Sequence, residues 1–154
     1  MNDEQKRFAE KILDQAYMAK MKTGLPASIL AAQCILETGW GRYIPTDIHS
    51  GKFSYNLFGI KRSGTNGSVD ILTHEYVNGK KIKIIAQFAA YNNYAESFIA
   101  YGNLILGAKR YKKAVINKND PEKYIYEIWR AGYATDPKYP EKILKIARSC
   151  KFIK

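Results

Sequence analysis

The sequence has few of the residues that hold metal ions or build disulfide frameworks. Its 154 residues include only two cysteines, Cys34 and Cys150, and two histidines, His49 and His74. None of these has the spacing of a zinc motif, two cysteines are too few for a disulfide scaffold, and no glycine-rich phosphate loop is present. We therefore expect no metal and no cofactor. Cys34 lies in an apolar helical stretch, where a buried free thiol is the simplest interpretation.

Long apolar runs are also missing. No segment approaches the ~18–20 residues that a membrane-spanning helix needs, and the N-terminal MNDEQKRFAEK lacks the basic and then apolar layout of a signal peptide. We expect that the protein does not insert into a membrane. Either it leaves the cell by another route, or it is a domain cut from a longer chain. The length fits one domain, so residues 1–154 are predicted to form a single, monomeric unit.

Acidic residues are scarce relative to basic ones. Lysine and arginine total 25 against 14 acids, which gives a formal net charge of +11. Such a surface favours polyanionic partners, among them nucleic acid, anionic lipid and the phosphate-bearing polymers of a Gram-positive wall. The charges are scattered, and no basic stripe marks a recognition element, so we expect no nucleic-acid partner. Binding to an anionic wall should weaken as ionic strength rises.

The apolar spacing predicts two helices before residue 42. Residues 4–21 follow the period of an amphipathic helix, with Asn2 or Asp3 as N-cap and Gly24 at the end. Pro26 suits the first position of a second helix, ASILAAQCILET, which should end at Gly39. This second helix is short and almost wholly apolar, so we expect it inside the domain.

The middle of the chain predicts a loop and a hairpin. Residues 42–67 show no period, and we interpret them as an irregular surface segment of the length that is usually functional in a compact domain. VDILTHEYV and KIKIIAQF then flank Asn78-Gly79, a strong hairpin-turn signal. A β-hairpin is therefore predicted from about Val69 to Phe88.

The remainder is predicted to be helical. Asn93 and Glu96 resemble a capping box, and Gly107 and Gly132 are candidate helix stops. Two further pairs each offer an N-cap followed by a first-turn proline, namely Asp120-Pro121 and Asp136-Pro137. The resulting fold class is α+β, mainly α: a helical body with a small β-hairpin lobe at about residues 68–90.

Glu37 is the first candidate for chemistry. It is the only acid of the second predicted helix, where it shares a face with Leu30 and Cys34. Desolvation at the end of an apolar helix raises the pKa of a carboxyl, and glycoside hydrolysis needs an acid that is still protonated near neutral pH. Taken alone, a glutamate at a helix end is more often an ordinary surface residue, because amphipathic helices commonly end on polar groups.

Four segments add a family resemblance. ASILAAQCILETGWG, NLFGIK, THEYVNGK and AGYATDPKYPEKI occur in the order typical of the glucosaminidase family of bacterial wall hydrolases, over about residues 9–146. The resemblance implies a lysozyme-like fold and an endo-β-N-acetylglucosaminidase that cuts peptidoglycan between its two alternating sugars. It also implies that Glu37, in the family's E-[ST]-G-W-G motif, is the catalytic acid.

The same resemblance nominates a second acid. The family's T-x-E-Y pattern matches Thr73, Glu75 and Tyr76, so Glu75 becomes the candidate general base or charge stabiliser, carried on a mobile lobe. Strand alternation places Glu75 on one face of the hairpin and Tyr76 on the other. An exposed strand glutamate without a catalytic role is the alternative.

Further site residues also come from the resemblance. Tyr133 matches an active-site tyrosine, Asn56 and Phe58 match a groove-lining segment, and Trp40 and Tyr76 are candidate sugar contacts. Trp40 could instead pack under the helix end. The family frequently has Phe-Arg-x-Tyr where this chain has Phe88-Ala89-Ala90-Tyr91, so any contact made by that arginine is missing.

Other functions remain open at this point. A muramidase or lytic transglycosylase would also use a glutamate that closes a buried helix, and a catalytically silent module could bind the wall through aromatic and cationic side chains. The resemblance implies action at a bacterial wall, and the positive charge favours a Gram-positive one. Phage endolysin, autolysin, flagellar and spore roles would all suit such a domain.

Overall fold

The structure is a computed structural model that describes all residues, 1–154. Six α-helices, one 3-10 turn and one hairpin follow one another in the chain, which confirms the predicted α+β, mainly helical class. Their bounds are α1 Asp3–Thr23, α2 Ala27–Thr38, β1 Ser68–Val77, β2 Lys80–Ala89, α3 Tyr94–Gly107, a 3-10 turn Lys109–Tyr111, α4 Lys112–Ile116, α5 Pro121–Arg130 and α6 Tyr139–Ser149. None of the helices combines the length and the apolar character required to cross a bilayer.

The first two helices end where the sequence indicates. Asn2 and Gln5 form a reciprocal capping box at the start of α1, and Gly24 ends it in the left-handed conformation. Helix α2 begins at Ala27, because Pro26 is the N-cap and not the first helical residue. Gly39 closes α2 with a φ of 55°.

The later helix ends depart from prediction in two places. The Asn93 side chain accepts from the backbone N–H of Glu96, but the Glu96 carboxylate accepts from the Asn92 N–H, so the predicted box is only half formed. Asp120 caps α5 as predicted. Asp136 instead accepts from the Lys138 N–H in a turn, and α6 starts later, at Tyr139. The 3-10 turn and α4 were not predicted.

Helix α2 lies at the centre of the core. It packs against α1 and α6, and α1 also packs against α3. Its buried residues include Ile29, Leu30, Ala31, Ala32, Cys34 and Ile35. Cys34 is a buried free thiol, as expected, and Cys150 is also free. The side chains that emerge from the end of this helix therefore have a rigid base.

The hairpin is attached to the body at its root. Its register pairs Ser68 with Ala89 and Val77 with Lys80, around the predicted Asn78-Gly79 turn. The Asp70 N–H donates to Asp47 at 2.8 Å, and the Ala89 N–H donates to the Ile60 carbonyl at 2.9 Å. Every residue from 74 to 83 is exposed, and we call this distal part the arm.

The segment 42–67 is not the wholly superficial loop that its composition predicts. Ser54, Asn56, Leu57 and Phe58 are buried in its second half. Hydrogen bonds to side chains and to the hairpin root satisfy the polar groups that would otherwise make a buried loop costly. This buried part fixes the segment between the end of α2 and the hairpin.

Candidate active site

Glu37 lies in the last turn of α2, where the central helix reaches the surface. The preceding residues up to Ile35 are buried, whereas Leu36 and Glu37 are accessible to solvent. Protein atoms around the carboxyl nevertheless desolvate it enough to raise its pKa above the ordinary value, and it forms no ion pair that would oppose this. The side chain is thus both reachable and suited to retain a proton.

Gly59 lies directly beside this carboxyl. A Cβ at Gly59 would be 3.5 Å from Oε1 of Glu37, and the backbone there has a φ of 65°. Glycine adopts this left-handed conformation without strain and adds no side chain next to the acid. The residue therefore brings the buried part of segment 42–67 close to Glu37 while leaving space around the carboxyl.

Asn56 shapes that segment from within, so its predicted contact with sugar is not supported. Its amide nitrogen donates to the carbonyls of Ile60 and Ala89, at 2.7 and 2.9 Å, and its oxygen accepts from the N–H groups of Phe58 and Ile60. These four bonds use the full capacity of an amide side chain, and the residue is 1% exposed. Asn56 links the loop to the hairpin root.

Phe58 is likewise a packing residue and not the predicted groove aromatic. It is 8% exposed, and its ring stacks on Tyr101 with centroids 4.0 Å apart and planes 5° apart. A second contact, edge to face, joins it to Phe98. Both contacts belong to the core, so this ring has no free face for a sugar.

A cluster of tyrosines underlies the site. The Tyr133 ring lies 5.9 Å from Tyr101 and 5.7 Å from Tyr139 between centroids. Burial raises the Tyr133 pKa to about 12; the hydrogen bond with Tyr101 opposes this shift, and the Glu37 charge adds to it. Tyr133 is therefore a neutral hydroxyl near the acid.

Gln33 connects two members of this cluster, and the sequence analysis missed it. Its amide nitrogen donates to the Tyr139 hydroxyl at 3.0 Å, while its oxygen accepts from the Tyr101 hydroxyl at 3.2 Å. Gln33 is 1% exposed and lies one turn before Glu37 on α2. A single amide inside an otherwise apolar helix, four residues before the candidate acid, was the available signal.

Trp40 adopts an uncommon backbone conformation. Its φ is 63°, between Gly39 at 55° and Gly41 at 84°. Left-handed geometry is costly for a bulky residue and tends to persist where the surroundings enforce it. The side chain is half-buried at the end of α2, next to Glu37 in sequence, which is compatible with either predicted role.

Glu75 and Tyr76 lie on the arm. Glu75 is exposed, has no hydrogen bond or ion pair, and pairs with Ile82 across the strands. Its face also carries Val77 and Lys80, so the carboxylate has both apolar and cationic neighbours. Tyr76 is 75% exposed and lies on the opposite face beside Lys81. Because they lie on opposite faces of the hairpin, a ligand bound against one face would contact only one of these two residues.

A surface concavity elsewhere on the molecule does not include any of these groups. It measures about 400 Å³ and lies along α5, between Asn117 and Arg130. No cluster of three or more metal-binding side chains occurs in the molecule. The chemistry available around Glu37 is that of an acid and neutral hydroxyls, and the exposed Glu75 carboxylate lies on the arm.

Comparison with known protein families gives a match over most of the chain. The sequence profile named Glucosaminidase, described as mannosyl-glycoprotein endo-beta-N-acetylglucosaminidase, covers residues 13–152. The chain belongs to the glucosaminidase family. This confirms the resemblance seen in the four sequence motifs and the class of enzyme, a glycoside hydrolase.

Curated relatives of the glucosaminidase family are longer proteins. The chain is 41% identical over 143 residues to the peptidoglycan hydrolase FlgJ of Pseudomonas aeruginosa, covering 92% of this chain and 36% of that protein. It is 30% identical over 148 residues to the exo-glucosaminidase LytG of Bacillus subtilis, covering 94% and 51%. The chain thus spans between one third and about half of these relatives.

Solved structures of the family share the fold. The glycoside hydrolase domain of Salmonella typhimurium FlgJ superposes with a TM-score of 0.81 at 32% identity, covering 97% of this chain and 99% of that one. The catalytic domain of the autolysin Auto of Listeria monocytogenes gives 0.80 at 30% identity, covering 98% and 86%. The fold expected from the resemblance is confirmed.

Proposed function

We propose that this chain cleaves the glycan strand of peptidoglycan as an endo-β-N-acetylglucosaminidase, with Glu37 as the general acid. The raised pKa of an accessible carboxyl at the end of the buried helix α2 is the observation that carries the proposal. Membership of the glucosaminidase family and the names of the FlgJ and LytG relatives support the substrate.

In the proposed reaction, Glu37 donates its proton to the departing glycosidic oxygen. As the bond from the anomeric carbon to that oxygen breaks, positive charge develops on the sugar ring, and either a second carboxylate or the substrate's own acetamido group can stabilise it. A water molecule then attacks the anomeric carbon and gives up a proton to a carboxylate, which completes the hydrolysis. Glu75 is the proposed carboxylate, because it is the only acid of the arm and occupies the acidic position of the T-x-E-Y pattern. Tyr133 is proposed to position the sugar or the Glu37 carboxyl through its neutral hydroxyl.

Product analysis tests the bond that is cut. Purified peptidoglycan is digested, the products are reduced with borohydride, and the new reducing-end sugar is identified by mass spectrometry. Reduced N-acetylglucosamine that disappears with Glu37→Gln supports the proposal, whereas Glu141→Gln, an exposed substitution of the same type on α6, should retain activity. Reduced N-acetylmuramic acid would indicate a muramidase, and anhydro ends a transglycosylase.

The same digestion distinguishes a binding module from an enzyme. A module would sediment with walls and release no sugar, and Glu37→Gln would change nothing. Product length separates endo from exo cleavage, an open point since one relative is named an exo-glucosaminidase. Internal cuts give long fragments early in the reaction, whereas terminal cuts release only small products.

Glu75 requires its own test. Loss of activity in Glu75→Gln with unchanged binding to walls would support a role in the reaction. Full activity would favour assistance by the substrate's acetamido group or another single-carboxylate mechanism.

We propose that the reaction takes place at a bacterial wall, without a preference for one type of wall. Relatives come from Pseudomonas, Salmonella, Bacillus and Listeria, so the comparisons do not support the expected preference for Gram-positive walls. The net charge of +11 still favours anionic walls of either type. Release as an endolysin and secretion as an autolysin are both consistent with this activity.

A further inference from the structure

Arg110 is a cation beside the tyrosine cluster that no part of the proposed reaction uses. It lies in the 3-10 turn and is exposed, with its guanidinium carbon 4.6 Å from the centre of the Tyr111 ring. Its Nη1 is 3.9 Å from the position that a Cβ at Gly132 would take. Contact with the ring limits the freedom of the guanidinium and thereby favours one orientation.

This position is connected to Glu37 through two tyrosines. The Tyr111 ring lies 6.5 Å from the Tyr133 ring, and Gly132 immediately precedes Tyr133 in the chain. Tyr133 is close enough to Glu37 for the carboxylate charge to affect the ionisation of its hydroxyl. Arg110 therefore lies at the rim of the tyrosine cluster beneath the acid.

The guanidinium has no acidic partner within the protein. The ion pairs of the molecule are Arg130 with Glu127, Lys142 with Asp136 and Arg148 with Glu122. No acid occurs in the sequence between Glu96 and Asp120, the stretch that contains Arg110. An oriented arginine without an internal partner can offer two parallel N–H donors to an external carboxylate.

We propose that Arg110 is a specificity-determining residue that binds a carboxylate on the muramic acid side of the substrate, in its lactyl group or stem peptide. The inference rests on the proposed function, in which the substrate alternates neutral and acid-bearing sugars. Arg110 favours glycans with carboxylates over unsubstituted N-acetylglucosamine polymers, and it takes no part in the proton transfer.

The test compares two soluble ligands on the full chain carrying Glu37→Gln, so that neither is cleaved. One is a peptidoglycan tetrasaccharide with stem peptides, and the other is the neutral tetrasaccharide of N-acetylglucosamine. Adding Arg110→Gln should weaken binding of the first about three- to tenfold and leave the second unchanged, as fits one charge-assisted contact at a solvated rim. Arg110→Lys should recover part of the loss.

Arg7→Gln, an equal loss of charge at an exposed site on α1, is the matched control and should leave both affinities unchanged. Equal weakening of both ligands by Arg110→Gln, or no weakening of either, would overturn the inference and leave the proposed function intact. If Glu37→Gln alone binds neither saccharide, although its melting temperature shows it folded, both the proposed function and the inference are contradicted.

Discussion

Oε1 of Glu37 lies 3.5 Å from the position that a Cβ would occupy on Gly59. A methyl group there would restrict the approach of a leaving oxygen to the acid. We expect Gly59→Ala to lower kcat at least tenfold, as measured on purified peptidoglycan, because small misplacements of reacting groups are costly.

The backbone effect of this substitution needs a separate control, since Gly59 is left-handed. Gly51 has a φ of 75° and no heavy atom within 4 Å of its Cβ position. Gly51→Ala should therefore share the strain, about 1 kcal/mol, without crowding the acid. Equal activity loss in both variants would show that strain, and not crowding, is responsible.

The raised pKa of Glu37 predicts a measurable cost in stability. Above the ordinary glutamate value of 4.5, the folded state retains a proton that the unfolded state has lost, so stability decreases as pH rises through this window. We expect Glu37→Gln to melt at a higher temperature than the native chain at neutral pH, and at the same temperature well below pH 4.5. Thermal unfolding followed by fluorescence measures both. A lower melting temperature at neutral pH would contradict the desolvation argument.

The pH dependence of activity should also report the ionisation of Glu37. Because the general acid must be protonated, activity should fall as pH rises through the Glu37 pKa, and desolvation places this decline above the ordinary range of glutamate. The pH dependence of kcat/KM on soluble glycan fragments reports it. A decline centred at the ordinary value would indicate an unperturbed carboxyl.

Gln33 should be essential to the tyrosine cluster. Gln33→Met keeps a similar volume but leaves the Tyr101 and Tyr139 hydroxyls without their amide partner, at a cost of about 2–5 kcal/mol for the pair. Urea unfolding measures this loss. Gln87→Met is the control, because Gln87 is exposed and its side chain hydrogen-bonds only to Ser68. A stable Gln33→Met variant would show that the hydroxyls find other partners.

A substitution at Asn56 distinguishes a structural role of this residue from direct contact with the substrate. Asn56→Ala removes four hydrogen bonds to the loop and the hairpin root, and we expect a stability loss of about 2–4 kcal/mol together with lower activity. Urea unfolding and wall digestion are measured on the same preparation. A fully stable variant with a raised KM would restore the direct sugar contact.

Local signals in the sequence predicted much of this molecule. The hairpin register follows from Asn78-Gly79, and α2 is delimited by Pro26 and Gly39, because turns and caps depend on neighbouring residues. Glu37 could be nominated from its helix and motif alone. The roles of Asn56 and Phe58 could not, since their partners, Ala89 and Tyr101, are distant in sequence.

The arm has a consequence for how such enzymes can diverge. The hairpin that carries the arm is fixed to the body only near Asp70 and Ala89, and the tip of the arm is a two-residue turn. Adding or removing two residues from each strand preserves which side chains share a face, whereas a single residue would exchange the faces. The reach of the hairpin is therefore free to change in paired steps over evolution, without any change in the helices that hold Glu37.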